Sequence, residues 1–140
     1  MKGWIKLSHP ELIIEFLVPE RGKGSDKPYP LPQLRLNAQA LRFLDLLADN
    51  SIRIRIENFY LKVPHPAAFA LHKLIVSKRR TRQDKKDKDI TQALNVLNAL
   101  IEKHEENSIR NLFKHLIPKW QKKVRQTLQE IEADRILTIL

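Results

Sequence analysis

The sequence predicts an α+β fold: a small, mainly antiparallel sheet with one helix, followed by a bundle of about four helices. Three observations predict it. Ile52, Ile54 and Ile56 alternate with Arg53, Arg55 and Glu57, the period-two mark of a half-buried strand. Apolar stripes at helical spacing recur from Ala67 onward. Prolines fall at the joints, with Pro19 after one apolar run, Pro64 and Pro66 after another, and Pro118 ahead of the last. A chain of 140 residues is one domain's worth of protein, so 1–140 is expected as a single domain with a β-rich part over 1–64 and a helical part over 65–140.

Each element follows from local chemistry. Residues 11–18 (ELIIEFLV) are rich in branched and aromatic side chains and read as a strand. Residues 21–32 hold two of the three glycines and three of the eight prolines, which predicts a loop. Asn37 can cap a helix over 37–48, with Ala38, Leu41, Leu44 and Ala48 on one stripe. The alternating residues 52–57 and the run 59–63 predict a hairpin turning at Asn58. Pro66 suits a first helical turn, and Ala67, Ala70, Leu71, Leu74 and Ile75 give a stripe for a helix over 66–80. A charged link over 81–86 leads to a helix with Ile90, Ala93, Leu94, Leu97, Leu100 and Ile101 on one face, and the two should pack as an antiparallel hairpin. Asn107 or Ser108 caps a third helix carrying Leu112, Phe113, Leu116 and Ile117. Pro118 opens a fourth, striped by Trp120, Val124, Leu128 and Ile131. The tail 136–140 has two available fates: sealing the bundle or meeting a second subunit.

Composition excludes several classes of function. The chain has no cysteine, so disulfides, Cys-ligated zinc and iron–sulfur clusters are ruled out. No apolar run approaches the ~20 residues that span a bilayer, and the first ten residues hold no signal-type hydrophobic region, so a cytoplasmic protein is expected. Twenty-six Lys and Arg against sixteen Asp and Glu give a net charge of +10, which favours phosphate-bearing partners. The alternative is a charged, solvated surface without a polyanionic ligand.

Candidate chemistry concentrates in a few places. Arg21-Gly22-Lys23-Gly24-Ser25 superficially resembles a phosphate loop, but it lacks the required spacing and the strand-to-helix setting. The five histidines show no metal-ligand spacing; His65 and His72 are two turns apart, and a surface or boundary position is expected for His72. Lys73, Ser77 and Arg80 share one helix face at i, i+4 and i+7. Residues 78–89 add seven cations against three anions, and a helical hairpin brings Lys88 toward Lys73 and Arg80, leaving room for a phosphate between them. The competing reading is a solvated turn. Residues 107–129 carry Arg110, Lys114, Lys119, Lys122, Lys123 and Arg125 with no acidic residue, a surface able to track a nucleic-acid backbone. Glu15 stands inside an apolar strand, where a carboxylate is costly unless solvated at an edge, paired or metal-bound.

Together, the segments Glu15 to Pro19, Asn37 to Leu44, Val63 to Leu74, Arg79-Arg80 and Lys88 to Ala93 resemble, in this order, nucleotidyltransferase-like proteins of the DNA polymerase β superfamily. More distantly they are similar to the nucleotidyltransferase toxins of abortive-infection systems. The resemblance covers about residues 11–103 and is most specific over 63–93. It implies transfer of a nucleoside monophosphate from an NTP to a hydroxyl, on RNA or protein, with two Mg²⁺ ions held by three carboxylates. By the resemblance, Glu15 matches the third carboxylate, and Lys73, Arg80 and Lys88 lie at the triphosphate. His72, Ser77, Arg79 and Asp89 stand in support, with Asp89 orienting a cation. The Gly-Ser turn and Asp-x-Asp strand of that superfamily do not occur in these 140 residues; Asp87 and Asp89 have the spacing but not the setting. The expectation is therefore either the C-terminal, nucleotide-contacting part of a longer enzyme of this kind, inactive as this chain alone, or a decayed or repurposed relative. The partners expected are an NTP, an RNA or protein acceptor, and a missing N-terminal catalytic segment or a second copy of the chain. The alternative is a non-catalytic basic module that binds nucleic acid or a protein partner through the 110–125 surface.

Overall fold

Leu36–Leu41, expected to begin a helix, is instead the central strand of a three-stranded sheet (β5). The computed structural model describes residues 6–20 and 27–140; the glycine-rich stretch 21–25 lies outside them. Leu17–Pro19 (β3) runs parallel to β5, with Leu17 beside Gln39 and Pro19 beside Leu41, and Tyr29–Leu31 (β4) runs antiparallel on the other side. Bonding on both edges satisfies the β5 backbone and overrides the helix preference of its Ala-Gln-Ala-Leu run. Phe43 has a left-handed backbone (φ 59°), so the helix begins only at Leu44 and ends at Asp49 (α1).

The expected strand over 11–18 is two strands broken at Phe16. Leu12–Glu15 (β2) forms a hairpin with Lys6–His9 (β1), while β3 belongs to the other sheet. Part of the expected 21–32 loop is β4, whose Pro30 is tolerated because β4 is an edge strand. A single 3-10 turn over Pro32–Leu34 and a left-handed Arg35 (φ 53°) reverse the chain into β5.

The chain forms two compact units, Met1–Asp45 and Leu46–Leu140. In the second, Ser51–Ile56 (β6) and Phe59–Pro64 (β7) pair as the expected hairpin, with Glu57 left-handed at the turn (φ 48°). Its isoleucine face is more open than a half-buried strand: Ile52, Ile56, Phe59 and Leu61 are all exposed. The His65 amide donates to the Asn50 carbonyl at 2.7 Å and closes the base of the hairpin.

Pro66–Ser77 (α2) is the axis of the helical bundle and packs against three of the four helices that follow it. His65 caps it: Nδ1 accepts from the Ala67 amide at 3.1 Å, and Pro66 occupies the first turn. Ala67, Ala68, Ala70, Leu71, Leu74 and Ile75 are wholly buried. Each of the three larger side chains contributes about 1.5–3 kcal/mol of hydrophobic stabilisation, while the alanines let neighbouring helices come close. The helix stops at Ser77 rather than at residue 80, and Gln83–Glu102 (α3) begins within the expected link, so Lys85, Lys86 and Lys88 are helical.

Glu106–His115 (α4) is capped at Glu105 rather than at Asn107 or Ser108; Ser108 lies in the first turn and its hydroxyl donates to the Glu105 carbonyl. Ile109 and Phe113 carry its core face, whereas Ile117 is 50% exposed and off the expected stripe. Pro118–Glu130 (α5) begins where expected, and Asp134–Leu137 (α6) folds back on it with Ile136 buried. The architecture is α+β with a C-terminal helical bundle. No helix among the described residues is long and apolar enough to cross a membrane.

Candidate phosphate-binding site

The end of α2 and the first turns of α3 bring two cations onto one carboxylate. Lys73 lies on α2, Arg80 follows it in the connector, and Asp89 is two turns into α3. Packing of the two helices sets the register that makes them meet. Lys73 Nζ donates to Asp89 Oδ1 and Arg80 Nε donates to Asp89 Oδ2, each at 2.7 Å. The carboxylate is almost wholly enclosed (side chain 5% exposed), while Lys73 and Arg80 reach solvent at 21% and 38%.

Burial pushes the Asp89 carboxyl up, but the hydrogen bonds and charges of Lys73 and Arg80 outweigh it and hold the group below the usual aspartate range. Asp89 is therefore an anion that fixes two cations, and the cluster keeps one net positive charge. An ammonium has three donors and a guanidinium five, so each cation has donors left beyond the one given to Asp89. Lys73 Nζ also lies 5.5 Å from the Phe69 ring centroid, an apolar wall that limits its freedom. This arrangement can hold a phosphate through charge-assisted hydrogen bonds.

Several expected site residues lie elsewhere. Ser77 is fully buried, and its hydroxyl donates to the Leu74 carbonyl at 2.9 Å, so it faces the bundle rather than an anion. His72 is also buried, at 3% exposure, rather than at the surface, because its turn of α2 is enclosed on nearly all sides. Arg79 is exposed in the connector and Lys88 is exposed on α3; Asp89, not Lys88, lies between Lys73 and Arg80. Glu15 is exposed at the end of β2, opposite Lys6 in the β1 ladder.

The second basic run divides in two. Lys114, Lys119 and Lys122 are exposed and Lys123 is half-buried. Arg110 and Arg125 are tied to the tail: Arg110 Nε donates to the Ile139 carbonyl at 3.1 Å, and Arg125 Nη2 to that of Leu140 at 2.9 Å. The Arg125 guanidinium lies 4.9 Å from the Phe113 ring centroid. Of the two fates open to the tail, the structure has it on the bundle.

Nucleotidyltransferases are a family known by sequence, and their family profile matches residues 2–117 of this chain. The chain belongs to the nucleotidyltransferase family. The match takes in the whole Lys73–Asp89–Arg80 cluster and ends just ahead of α5. Lys119, Lys122, Lys123 and Arg125 thus lie outside the part that defines the family, whereas Arg110 and Lys114 lie inside it. No curated protein and no solved structure matches the chain.

Among the described residues, no three His, Asp or Glu side chains group so as to hold a metal ion. One exposed glutamate does not make a donor set for two Mg²⁺ ions, which need several shared carboxylates. The described residues do not by themselves fit the two-metal centre of nucleotidyltransferase chemistry.

The sequence singled out Lys73, Arg80 and Asp89, and the resemblance gave Asp89 a cation to orient, but neither foresaw that it holds both Lys73 and Arg80. Residues that sequence reasoning passed over are Arg53 and Tyr60 on the hairpin, whose guanidinium and ring centroid are 4.1 Å apart. The signal was present in the alternation of Arg53 and Arg55, read there only as the polar side of a strand.

Proposed function

We propose that this chain supplies the phosphate-contacting part of an NTP-dependent nucleotidyl transfer enzyme, in which a nucleoside monophosphate passes from an NTP to a hydroxyl. One observation carries the reading: two cations from consecutive helical segments are fixed by a single enclosed carboxylate, with donors to spare. Membership of the nucleotidyltransferase family supports an NTP as the anion. Lys73 and Arg80 bind triphosphate oxygens, Lys88 adds positive charge from the exposed side of α3, and Asp89 is a positioning residue that never touches the nucleotide. Arg79 contributes charge from the connector. Glu15 enters only as one carboxylate of a metal centre that needs further acids, so the role proposed for this chain is confined to holding phosphate.

The test is ATP binding followed by titration calorimetry. Lys73→Ala and Arg80→Ala should each weaken affinity by about tenfold, the loss of one charge-assisted contact. Lys114→Ala, on a different helix, should leave affinity unchanged. Folded Lys73→Ala and Arg80→Ala proteins that bind ATP as the parent does would defeat the proposal.

A further inference from the structure

The β6–β7 hairpin presents a second cationic surface that the triphosphate reading does not use. Register places Arg53 opposite Lys62 and Arg55 opposite Tyr60, so these four side chains share one face of the two-stranded sheet. All four are exposed. The face carries three cations and no acid; Glu57 lies at the turn, where its carbonyl accepts from Arg55 Nε at 3.0 Å. Arg53 is diagonal to Tyr60, and its guanidinium carbon lies 4.1 Å from the ring centroid, closer than the ~6 Å limit of such contacts. Tyr60 still leaves 55% of its surface to water. An aromatic ring and a guanidinium plane, stacked on a paired strand ladder and flanked by two more cations, combine both requirements of a single-stranded nucleic-acid site: π-faces for unstacked bases and charge for the backbone.

We infer that the Arg53–Arg55–Tyr60–Lys62 face of the β6–β7 hairpin binds single-stranded nucleic acid, one base stacking on the Arg53–Tyr60 pair while Arg55 and Lys62 hold backbone phosphates. Charge complementarity selects a polyanion, and the exposed stack selects unpaired bases over a duplex, whose bases are already stacked. The base of the hairpin is fixed by the His65 amide bond to Asn50, directly ahead of α2, so the face is held by the helical unit. The inference is independent of the triphosphate site, and binding is measured without nucleotide.

The experiment is fluorescence anisotropy with a labelled oligouridylate of about 15 nucleotides, within the span that single-strand sites occupy. Tyr60→Ala and Arg53→Ala should each weaken binding by about tenfold, the loss of one stacked base. Tyr60→Phe keeps the ring and should retain affinity, whereas Arg53→Lys keeps the charge but loses the plane and should not. Arg55→Ala with Lys62→Ala should lower the slope of log K against log salt by about 0.7 for each phosphate contact removed. The four positions are exposed, so these variants keep the fold, and circular dichroism verifies it. Three outcomes overturn the inference: hairpin variants that bind like the parent while Lys114→Ala/Lys119→Ala/Lys122→Ala abolishes binding; equal affinity for duplex RNA; or equal affinity for polyglutamate, which offers charge without bases.

Discussion

Lys73 Nζ on α2 and Asp89 Oδ1 on α3 are 2.7 Å apart, across the helix pair that forms the main packing of the bundle. The contact is therefore structural as well as part of the candidate site. Asp89→Asn retains the shape but removes the charge that Lys73 and Arg80 share. Both cations keep some access to water, so the loss should be smaller than for a fully enclosed pair, about 2–3 kcal/mol. Urea denaturation at neutral pH measures it. Arg80→Ala, at the more exposed partner, should cost under about 1 kcal/mol.

The same carboxylate sets an acid limb. Its folded value is held below the unfolded one, near 3.9 for aspartate, so its stabilisation is complete above the unfolded value and is lost as pH falls through the folded one. The gap in unfolding free energy between the parent and Asp89→Asn should be constant from pH 7 to about 5 and close below about pH 4. Denaturation curves across that range check it; a gap unchanged at pH 3 would refute the linkage.

What was legible in the sequence divides by the range of the interactions. The start of α2 could be read because its proline and its alanine–leucine stripe lie close together, from Pro66 to Ile75, whereas the His65 cap could not. The β6–β7 pairing could be read for the same reason. Residues 36–41 could not, because the partners that make them a strand lie at 17–19 and 29–31, and their local pattern favours a helix. The candidate site falls between these cases. Lys73, Arg80 and Asp89 announce themselves as charges, but their common bonding depends on α2 ending at Ser77 and on the register of α3, which the charged connector concealed. Ser77 shows the cost: helical spacing put it with Lys73, but it is wholly buried with its hydroxyl on the Leu74 carbonyl.

The alanines of α2 yield a packing prediction. Ala70 is wholly buried on a helix contacted by α3, α4 and α5, so no direction is open for a larger side chain. Ala70→Leu adds three carbons to a closed site and should destabilise by about 1–3 kcal/mol or more through overpacking. Thermal unfolding should show a lower midpoint despite the greater hydrophobicity.

The N-cap of α2 is testable by exchange of side chains. His65 Nδ1 accepts from the Ala67 amide, a donor with no partner inside the helix. His65→Ala should cost about 1 kcal/mol, and His65→Asn, whose carbonyl oxygen can accept the same bond, should recover most of it. Chemical denaturation of the three proteins decides this, and equal losses in both variants would assign the effect to side-chain packing instead.

Two of the attachments of the tail, Ile136 and Arg125, give predictions of different size. Ile136, on α6, is 2% exposed, and Ile136→Ala should cost about 2–4 kcal/mol as a buried aliphatic truncation. Arg125 holds the Leu140 carbonyl at 2.9 Å and covers Phe113, but it is itself exposed, so Arg125→Ala should cost under about 1 kcal/mol. Arg125→Ala should instead loosen the last residues, which hydrogen exchange of amides 138–140 would detect while global stability stays nearly unchanged. If Arg125→Ala lowers global stability as much as Ile136→Ala does, the guanidinium, rather than the isoleucine, is what fastens the tail to the bundle.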